Sequence, residues 1–345
     1  MRGPSATRVA VLGAGSWGTT FAKILADAAT ASGLEREVRL WGRREEVVEQ
    51  INLKHRNEQY LKEVVLPPSI TASTDVAEVL AGAELVVLAV PAQTLRLQLR
   101  EWRSLLAPGA LVVSLMKGLE LHTDARMSEV ISEELSIPAN RIAVVSGPNL
   151  AMEIAREEPT ASVVACSDPL AAGWIARSCT APYFRPYTTG DVVGVEIGGI
   201  VKNIIALAVG ICEGKQMGDN TKASVITRGL AETSRLTLAL GGQAQTMAGL
   251  AGLGDLVATC SSPLSRNHTA GRLLGKGLTL TEVTAEMTQT AEGIKSAQAV
   301  QELAGKLGVE MPITAAVVAV LAGKLSVDEL GPLLLSRDLK PEGDH

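Results

Sequence analysis

The sequence predicts an α/β protein of two domains, a doubly wound parallel sheet over residues 1–190 followed by an all-helical domain over residues 191–345. Three observations lead to this prediction. In the first part, short apolar runs of strand length alternate with helical patterns, which is typical of a parallel sheet covered by helices. After about Gly190 only the helical period of apolar residues remains. The length of 345 residues also suits two domains, each with its own core.

The predicted elements follow the chain in order. A buried strand over residues 8–13 leads into a helix from Ser16 to about Ala29 and a second strand over 38–41. Later strands are predicted at 84–90, 110–116, 141–146, 161–165 and 183–187, with helices at 92–106, 124–134 and 150–157. The second domain is predicted to contain helices at 191–210, 222–240, 293–307 and 312–323, and the polar residues 336–345 are expected to fray.

The composition argues against several classes of partner. The formal net charge is −5 and the pI is about 5.6, so no overall positive field attracts nucleic acid or an anionic membrane. No uncharged apolar run reaches the ~18 residues of a membrane helix. The arginines near the N-terminus lead into a glycine pattern rather than a cleavable signal. We therefore expect a cytoplasmic protein that is not a membrane protein and that acts on a small molecule.

The cysteines give no sign of a metal site or a disulfide framework. Cys166, Cys179, Cys212 and Cys260 form no CxxC pair, and no histidine lies at ligand spacing from them. We expect reduced thiols that pack as small apolar groups. The sequence therefore predicts no metal.

A glycine-rich turn marks a dinucleotide site. Gly13, Gly15 and Gly18 form the pattern G-x-G-x-x-G between the first strand and the first helix, which is the context that the pattern requires. Gly13 permits the tight turn, Gly15 lets the backbone approach a pyrophosphate, and Gly18 lets helix and strand pack closely. The N–H groups at the start of the helix then attract the anion. These features predict a Rossmann-type domain that binds a nicotinamide dinucleotide.

The end of the second strand indicates which dinucleotide is preferred. An NAD-selective site usually has Asp or Glu there to bind the ribose 2′-hydroxyl, and this sequence has Arg43 and Arg44 instead. Two guanidinium groups suit a 2′-phosphate. We therefore expect NADP(H) to be preferred, with NAD(H) as the second cofactor. The alternative interpretation is a pair of solvated arginines in a loop.

Three further turns follow predicted strands and should lie at the carboxyl edge of the sheet, where ligands gather. They carry Pro91, Lys117 and the run Gly147, Pro148 and Asn149. This run also precedes a predicted helix, whose free N–H groups suit a second anion or a substrate hydroxyl. Each turn taken alone could be an ordinary turn or cap.

The helical domain contains a lysine in mostly apolar surroundings. Lys202 lies in the run 194–210 (GVEIGGIVKNIIALAVG), and Gly198 and Gly199 one turn earlier open space on that side of the helix. Loss of hydration lowers the pKa of a lysine toward the range that suits proton transfer. Asp255, at the end of a glycine-rich run, could orient the ammonium. The alternatives are a lysine whose head reaches water and an aspartate that caps the next turn.

A third segment suits a phosphate. Residues 256–281 contain no Asp or Glu in an otherwise acidic protein, and Ser265, Arg266 and Asn267 supply hydroxyl, guanidinium and amide donors in a row. A basic, solvated loop is the alternative interpretation.

The chain resembles bacterial NAD(P)-dependent glycerol-3-phosphate dehydrogenases over roughly residues 8–330. The matching segments are GAGSWGTTFA at Gly13, SLMKGLE at Ser114, SGPNLAMEI at Ser146, EIGGIVKNIIALAVGICEG at Glu196, GLGDLVATCSSPLSRNHTAGRLLGKG at Gly252 and AEGIKSAQAV at Ala291. The most specific part is the combination of the Lys-Asn helix with the Gly-Asp and Ser-Arg-Asn segments.

The resemblance implies a dinucleotide domain followed by an all-helical domain, on the plan of 6-phosphogluconate dehydrogenase. It implies reversible reduction of dihydroxyacetone phosphate to sn-glycerol 3-phosphate, the entry to glycerophospholipid synthesis, by a homodimer. Lys202 becomes the proton donor, and Lys117 and Asp255 belong to the same polar cluster. Asn149 stands where the family often has Ser or Thr, so its substrate contact is expected to differ.

The remaining roles are implied by matching positions. The substrate positions are Lys117, Gly147, Asn149, Lys202, Asp255, Ser265, Arg266 and Asn267. The cofactor positions are Gly13, Gly15, Ser16, Trp17, Gly18, Arg43, Arg44, Tyr60, Pro91, Lys117, Ala151, Arg266 and Glu292.

Two other functions remain open on the sequence. One is a related β-hydroxyacid-type dehydrogenase that acts on a carboxylate, since such a site would also use arginine. The other is a nucleotide-sensing protein that kept the fold and lost turnover, although the presence of Lys117, Lys202 and Asp255 together argues against it.

Overall fold

The computed structural model describes residue 3 and residues 5–287 and 291–336. The chain divides into two compact units, and the first comprises Met1–Met116 and Ala125–Val192. The second comprises Lys117–Asp124 and Val193–His345. The expected fraying concerns residues 336–345, of which 337–345 lie outside the described residues.

The first unit is built on one eight-stranded sheet with the strand order β3-β2-β1-β4-β5-β6-β7-β8. The strands are β1 Arg8–Leu12, β2 Glu37–Trp41, β3 Ile70–Ser73, β4 Leu85–Leu88, β5 Leu111–Ser114, β6 Ile142–Ser146, β7 Thr160–Ala165 and β8 Phe184–Thr189. The helices are α1 Ser16–Ala31, α2 Glu45–Lys54, α3 Val76–Leu80, α4 Leu95–Trp102, α5 Met127–Leu135, α6 Ala151–Ala155 and α7 Pro169–Ser178. The order reverses beside β1, as in a doubly wound fold, so the predicted Rossmann-type sheet is confirmed.

One junction departs from the predicted parallel sheet. Strand β7 runs antiparallel to β6, and β8 is again parallel to β7. The connection from β6 to β7 contains only the five-residue helix α6. A parallel crossover needs a longer return, usually a full helix, so this short connection turns the chain back instead.

Four elements of the first unit, β3, α2, α3 and α7, were not predicted. Strand β3 lies at the edge of the sheet and only Ile70 in it is buried, so it lacks a strong apolar run. Helix α2 buries only Val47 and Ile51, and α3 has five residues. The predicted helix 92–106 is shorter, because a 3₁₀ turn at Ala92–Thr94 precedes α4. Weak amphipathic signals of this kind are easily missed.

Apart from the segment Lys117–Asp124, the described residues of the second unit form helices and the turns that connect them. Its helices are α8 Val192–Gly214, α9 Asp219–Ala239, α10 Ala244–Met247, α11 Asp255–Ser261, α12 Arg266–Gly275, α13 Leu280–Glu286, α14 Glu292–Lys306, α15 Pro312–Leu321 and α16 Val327–Leu335. Helix α8 is long and apolar enough to cross a membrane by composition, but 89% of its apolar window is buried inside the protein. It therefore serves as the central helix of this unit's core.

The four cysteines are buried and free, as packing thiols should be.

Candidate active site

The glycine turn between β1 and α1 has the geometry that its sequence indicates. Gly13 has φ +127°, a conformation that L side chains rarely adopt, and its N–H donates to Trp41 O at 3.1 Å. A side chain at Gly18 would collide with the backbone of Gly13. Gly15 caps α1, and a Cβ built on it would meet no atom within 4 Å. The open side of this turn can therefore accept a ligand.

The start of α1 fits a bound dinucleotide. The helix has no side-chain cap and no acidic residue in its first turn, so the N–H groups at Ser16 and Trp17 are available to an anion. Trp17 Nε1 is buried and has no hydrogen-bond partner among the described residues. A buried donor left unpaired is costly, and a ligand would supply the missing acceptor. Both features favour a pyrophosphate at this position.

The structure brings Arg44 and Tyr60 together. Arg44 Nη2 donates to the Tyr60 hydroxyl at 3.0 Å, and its guanidinium lies 5.4 Å from the centre of the Tyr60 ring. Arg43 is exposed beside it. Tyr60, a cofactor position implied by the resemblance, thus contacts one of the two arginines expected to bind a 2′-phosphate.

The segment after β6 also has ligand-binding features. Gly147 has φ +141° and packs against Ser162, while both amide atoms of Asn149 are buried and lack a hydrogen-bond partner among the described residues. Ala151 begins α6, and its carbonyl accepts a hydrogen bond from Thr20 Oγ1 at 3.1 Å. Pro91 lies exposed at the start of the turn after β4.

In the second unit, Lys202, Asp255 and Lys117 form one cluster. The Lys202 ammonium donates to Asp255 Oδ1, and the Lys117 ammonium donates to Asp255 Oδ2 at 2.6 Å. The side chains of Lys202 and Asp255 are 10% and 1% exposed. Lys117 was expected on the rim of the sheet, but its segment clusters with the helical unit. One buried carboxylate therefore holds two ammonium groups.

The glycines around the cluster allow this geometry. Residues Leu250–Gly254 form a π-helical turn, closed by a hydrogen bond from Gly254 N to Gly249 O, and Asp255 begins the α-helix that follows. A Cβ at Gly198 would lie 2.6 Å from Ala251 O. The space beside Lys202, one turn along α8, is thus filled by the π turn rather than left open. Such turns are frequent at functional sites.

Burial sets the proton affinity of Lys202. Loss of hydration lowers its pKa from 10.5 to about 7, helped by the positive charge of Lys117 and opposed by Asp255. An ammonium with a pKa near neutrality can both give and take a proton. Because its side chain is only 10% exposed and its ammonium is bound to Asp255, Lys202 is not a lysine whose head reaches water.

Sequence reasoning missed Thr259. Its hydroxyl accepts a hydrogen bond from Lys202 Nζ at 2.7 Å and lies 3.3 Å from Asp255 Oδ1. The available signal was spacing, since Asp255 and Thr259 are four residues apart and share a helix face. Nζ has three N–H bonds, so Asp255 and Thr259 leave one for a substrate oxygen.

The Ser-Arg-Asn segment begins helix α12. The Ser265 hydroxyl accepts from the His268 N–H at 3.2 Å, and Arg266 is exposed. Asn267 is more constrained, because its amide donates to Asn203 Oδ1 at 2.9 Å and accepts from the Gly293 N–H at 2.8 Å. Asn203, also missed, follows Lys202 directly, so these bonds tie α12 and α14 to the lysine helix.

Glu292, the first residue of α14, lies in the electrostatic field of Arg266. Partial burial raises the pKa of its carboxyl group, while the charges of Lys295 and Arg266 act against that rise. Arg266 and Glu292, both matched to cofactor positions, are thus neighbours in this unit. Among the described residues, no group of three or more His, Cys, Asp or Glu is placed to hold a metal ion.

Comparison with known proteins found matches over most of the chain. The family model of the NAD-dependent glycerol-3-phosphate dehydrogenase N-terminus matches residues 8–172, and that of the C-terminus matches residues 191–331. Glycerol-3-phosphate dehydrogenase [NAD(P)+] of Thermobifida fusca is 59% identical over 336 residues, covering 97% of this chain and 98% of the relative. The same-named protein of Streptomyces griseus is 57% identical with equal coverage. The crystal structure of glycerol-3-phosphate dehydrogenase from Coxiella burnetii superimposes with a TM-score of 0.90 at 35% identity, covering 97% of this chain and all of that one.

Proposed function

The chain belongs to the NAD-dependent glycerol-3-phosphate dehydrogenase family, and we propose that it reduces dihydroxyacetone phosphate to sn-glycerol 3-phosphate, reversibly, with NADPH or NADH. The observation that carries this proposal is the buried cluster of Lys202, Asp255 and Lys117. A ketone that accepts a hydride needs a proton on its oxygen, and this cluster holds one at neutral pH. We expect the product to supply glycerophospholipid synthesis.

Lys202 protonates the carbonyl oxygen. When bound, the reduced nicotinamide supplies the hydride that the carbonyl carbon receives. The third N–H of Lys202 Nζ donates to the carbonyl oxygen and transfers its proton as negative charge develops there. The neutral amine that remains regains a proton from water. In the reverse direction, the neutral amine takes the proton of the substrate hydroxyl.

Asp255, Thr259 and Lys117 prepare Lys202 for this step. Asp255 and Thr259 each hold one N–H of Nζ, which fixes the direction of the third. Lys117, on the other carboxylate oxygen, adds a positive charge that favours proton release from Lys202 and attracts the oxygen of the substrate. A buried cluster of this kind needs no reorganisation when charge develops.

The phosphate of the substrate is assigned to the start of α12. The Ser265 hydroxyl keeps its own hydrogen as a donor there, Arg266 adds a positive charge, and Asn267 retains the second hydrogen of its amide. In the first unit, Gly147 and Asn149 remain substrate positions, and the unpaired amide of Asn149 suits a hydroxyl, which both donates and accepts.

The cofactor is assigned to the glycine turn and its neighbours. Gly13, Gly15, Ser16, Trp17 and Gly18 would hold the pyrophosphate. Arg43 and Arg44, the latter braced by Tyr60, would grip a 2′-phosphate, so NADP(H) is preferred over NAD(H). Pro91, Lys117, Ala151, Arg266 and Glu292 complete the proposed cofactor positions.

A substrate panel tests the reaction. Purified protein should oxidise NADPH with dihydroxyacetone phosphate at least about a hundredfold faster than with 2-keto acids of similar size, because a site built for a phosphate leaves its donors unpaired with a smaller anion. Equal or faster turnover of a 2-keto acid would point to a related hydroxyacid dehydrogenase. Binding of NADPH without turnover of any substrate would point to a nucleotide-sensing protein.

A lysine substitution tests the proton donor. Lys202→Ala should lower kcat by about two to four orders of magnitude, the usual contribution of acid catalysis, with NADPH affinity nearly unchanged. The matched control is Lys215→Ala, which removes a partly exposed lysine beyond the end of the same helix, ion-paired to Asp328. Near wild-type activity in the Lys202 variant would contradict the assignment.

The cell compartment and the assembly follow from the family. We expect a cytoplasmic enzyme that forms a homodimer, which light scattering of the purified protein would test.

A further inference from the structure

The segment Lys117–Asp124 belongs to the helical unit although it lies between β5 and α5 of the first. We call this segment the strap. Its first residue, Lys117, is bound to Asp255 in the catalytic cluster. Leu119, two residues later, is fully buried in the core of the helical unit. The strap therefore does more than connect two elements, because it delivers a charged group into a buried site.

The far end of the strap has its own anchor. Asp124 Oδ2 accepts a hydrogen bond from Lys306 Nζ at 2.5 Å, and Lys306 is the last residue of α14. The carboxylate is only 4% exposed, whereas the lysine is 62% exposed. The Asp124 bond, together with the charge of Glu302, raises the pKa of Lys306. A buried carboxylate thus depends on a surface lysine for its counter-charge.

The backbone of the strap is strained. His122 has φ +73° and Asp124 has φ +58°, and neither residue is glycine. Residues in this region persist only where the surrounding structure holds them, and they cluster at functional sites. The contacts at its two ends therefore hold the strap in a conformation that its own backbone disfavours.

We propose that the ion pair between Asp124 and Lys306 is a positioning device for Lys117, and through it for the proton chemistry of Lys202. This inference rests on the proposed function. Neither Asp124 nor Lys306 touches the catalytic cluster, so both are positioning residues. When the pair is broken, the strap relaxes and the Lys117 ammonium is no longer held beside Asp255.

The charges around Lys202 give the direction of the effect. The titratable groups that face it are Asp255, Lys117 and the buried thiol of Cys260. A looser strap moves neither Asp255 nor Cys260. Burial raises the pKa of the Cys260 thiol to about 12, so this thiol stays uncharged. Only the repulsion from Lys117 weakens, so Lys202 keeps its proton to higher pH.

The test is the pH dependence of kcat for reduction. Lys306→Met should move the pH of half-maximal kcat upward by about half a unit. Lys117→Met should move it in the same direction and further, because it removes the like charge altogether. Lys306→Arg should restore the wild-type profile. Lys324→Met, which removes an exposed lysine elsewhere in the helical unit, should leave it unchanged.

A double variant separates positioning from general loosening. In a Lys117→Met background, Lys306→Met should cause no further shift, because the group through which it acts is gone. An equal shift in both backgrounds would overturn the proposal, as would a wild-type profile in Lys306→Met. Asp124→Asn supplies a second route to the same broken pair.

Hydrogen exchange gives a readout that does not need turnover. Amides of residues 117–124 should exchange faster in Lys306→Met than in wild type or Lys306→Arg, and unchanged protection would refute the anchor. If wild-type protein exchanges as expected but does not reduce dihydroxyacetone phosphate, the proposed function fails while the strap anchor stands.

Discussion

Replacing Lys202 with methionine should stabilise the protein while removing its activity. The catalytic cluster holds two ammonium groups around one carboxylate, and Lys202 is 10% exposed. Removing Lys202 leaves Asp255 paired with Lys117 and still hydrogen-bonded to Thr259, so no buried charge is left uncompensated. Methionine fills a similar volume without a charge to desolvate.

The size of the effect follows from the proton affinity of Lys202. The fall in the pKa of Lys202 from 10.5 to about 7 means that folding destabilises the charged form by about 5 kcal/mol relative to the neutral form. Lost hydrogen bonds to Asp255 and Thr259 offset part of this. We expect a net gain of about 1–4 kcal/mol in the free energy of unfolding, the range seen when buried ions are replaced by apolar groups.

The gain should depend on pH with a defined sign. Below about pH 7, Lys202 is protonated in both the folded and unfolded states, so the folded protein carries the full cost of burying the charged ammonium. Between about 7 and 10.5 the unfolded chain binds the proton more tightly, so wild-type stability from this group rises with pH. The advantage of Lys202→Met should therefore be largest near pH 6 and shrink toward pH 9.

Urea unfolding of both proteins at about pH 6 and about pH 9, followed by circular dichroism, measures this difference. The Lys215→Met variant, altered beyond the end of the same helix, is the control for a general effect of removing a lysine. A Lys202→Met protein that is less stable than wild type at pH 6 would refute the reasoning. So would a gain that stays constant with pH.

Three further predictions concern proton transfer, cofactor binding and the packing beside Lys202. With Lys202 titrating at about 7, kcat for reduction should fall above about pH 7 while kcat for oxidation of glycerol 3-phosphate rises over the same range, and parallel profiles would contradict the shared group. Arg44→Ala should weaken NADPH binding by about 1.5–3 kcal/mol with little change for NADH, measured by fluorescence titration, and equal losses would show that Arg44 does not bind the 2′-phosphate. Gly198→Ala, whose Cβ would lie 2.6 Å from Ala251 O, should lower both stability, by about 1–3 kcal/mol, and kcat, whereas Gly305→Ala in open space should do neither.

Much of the first unit could be predicted because its signals are local. The turn at Gly13 could be predicted because only glycine readily adopts the positive φ that the turn needs. The buried strands could be predicted because they are continuous apolar runs. The antiparallel β7 could not be predicted in the same way. Strand direction depends on where the chain goes after β6, and a short connection carries no clear periodicity.

The charged members of the catalytic cluster were predicted, but the residues that hydrogen-bond to them or hold their helix in place were not. Lys202 and Asp255 stood out because charges are rare among apolar and glycine residues. Thr259 and Asn203 did not stand out, since a threonine or asparagine is common on any helix and becomes informative only when its neighbours in space are known. The same holds for the Asp124–Lys306 pair, whose residues lie far apart in the sequence.

The net charge of the cluster explains both why it lowers the stability of the folded protein and why it can promote catalysis. Two ammonium groups and one carboxylate leave a net positive charge in a nearly dry site, which is unfavourable in the free protein. A carbonyl oxygen that becomes negative during reduction supplies the missing anion at the moment of reaction, so the unfavourable charge of the free site becomes stabilisation of the transition state. Lys202→Met should therefore gain stability for the same reason that it loses catalysis, and the two effects should not be separable by any apolar residue at position 202.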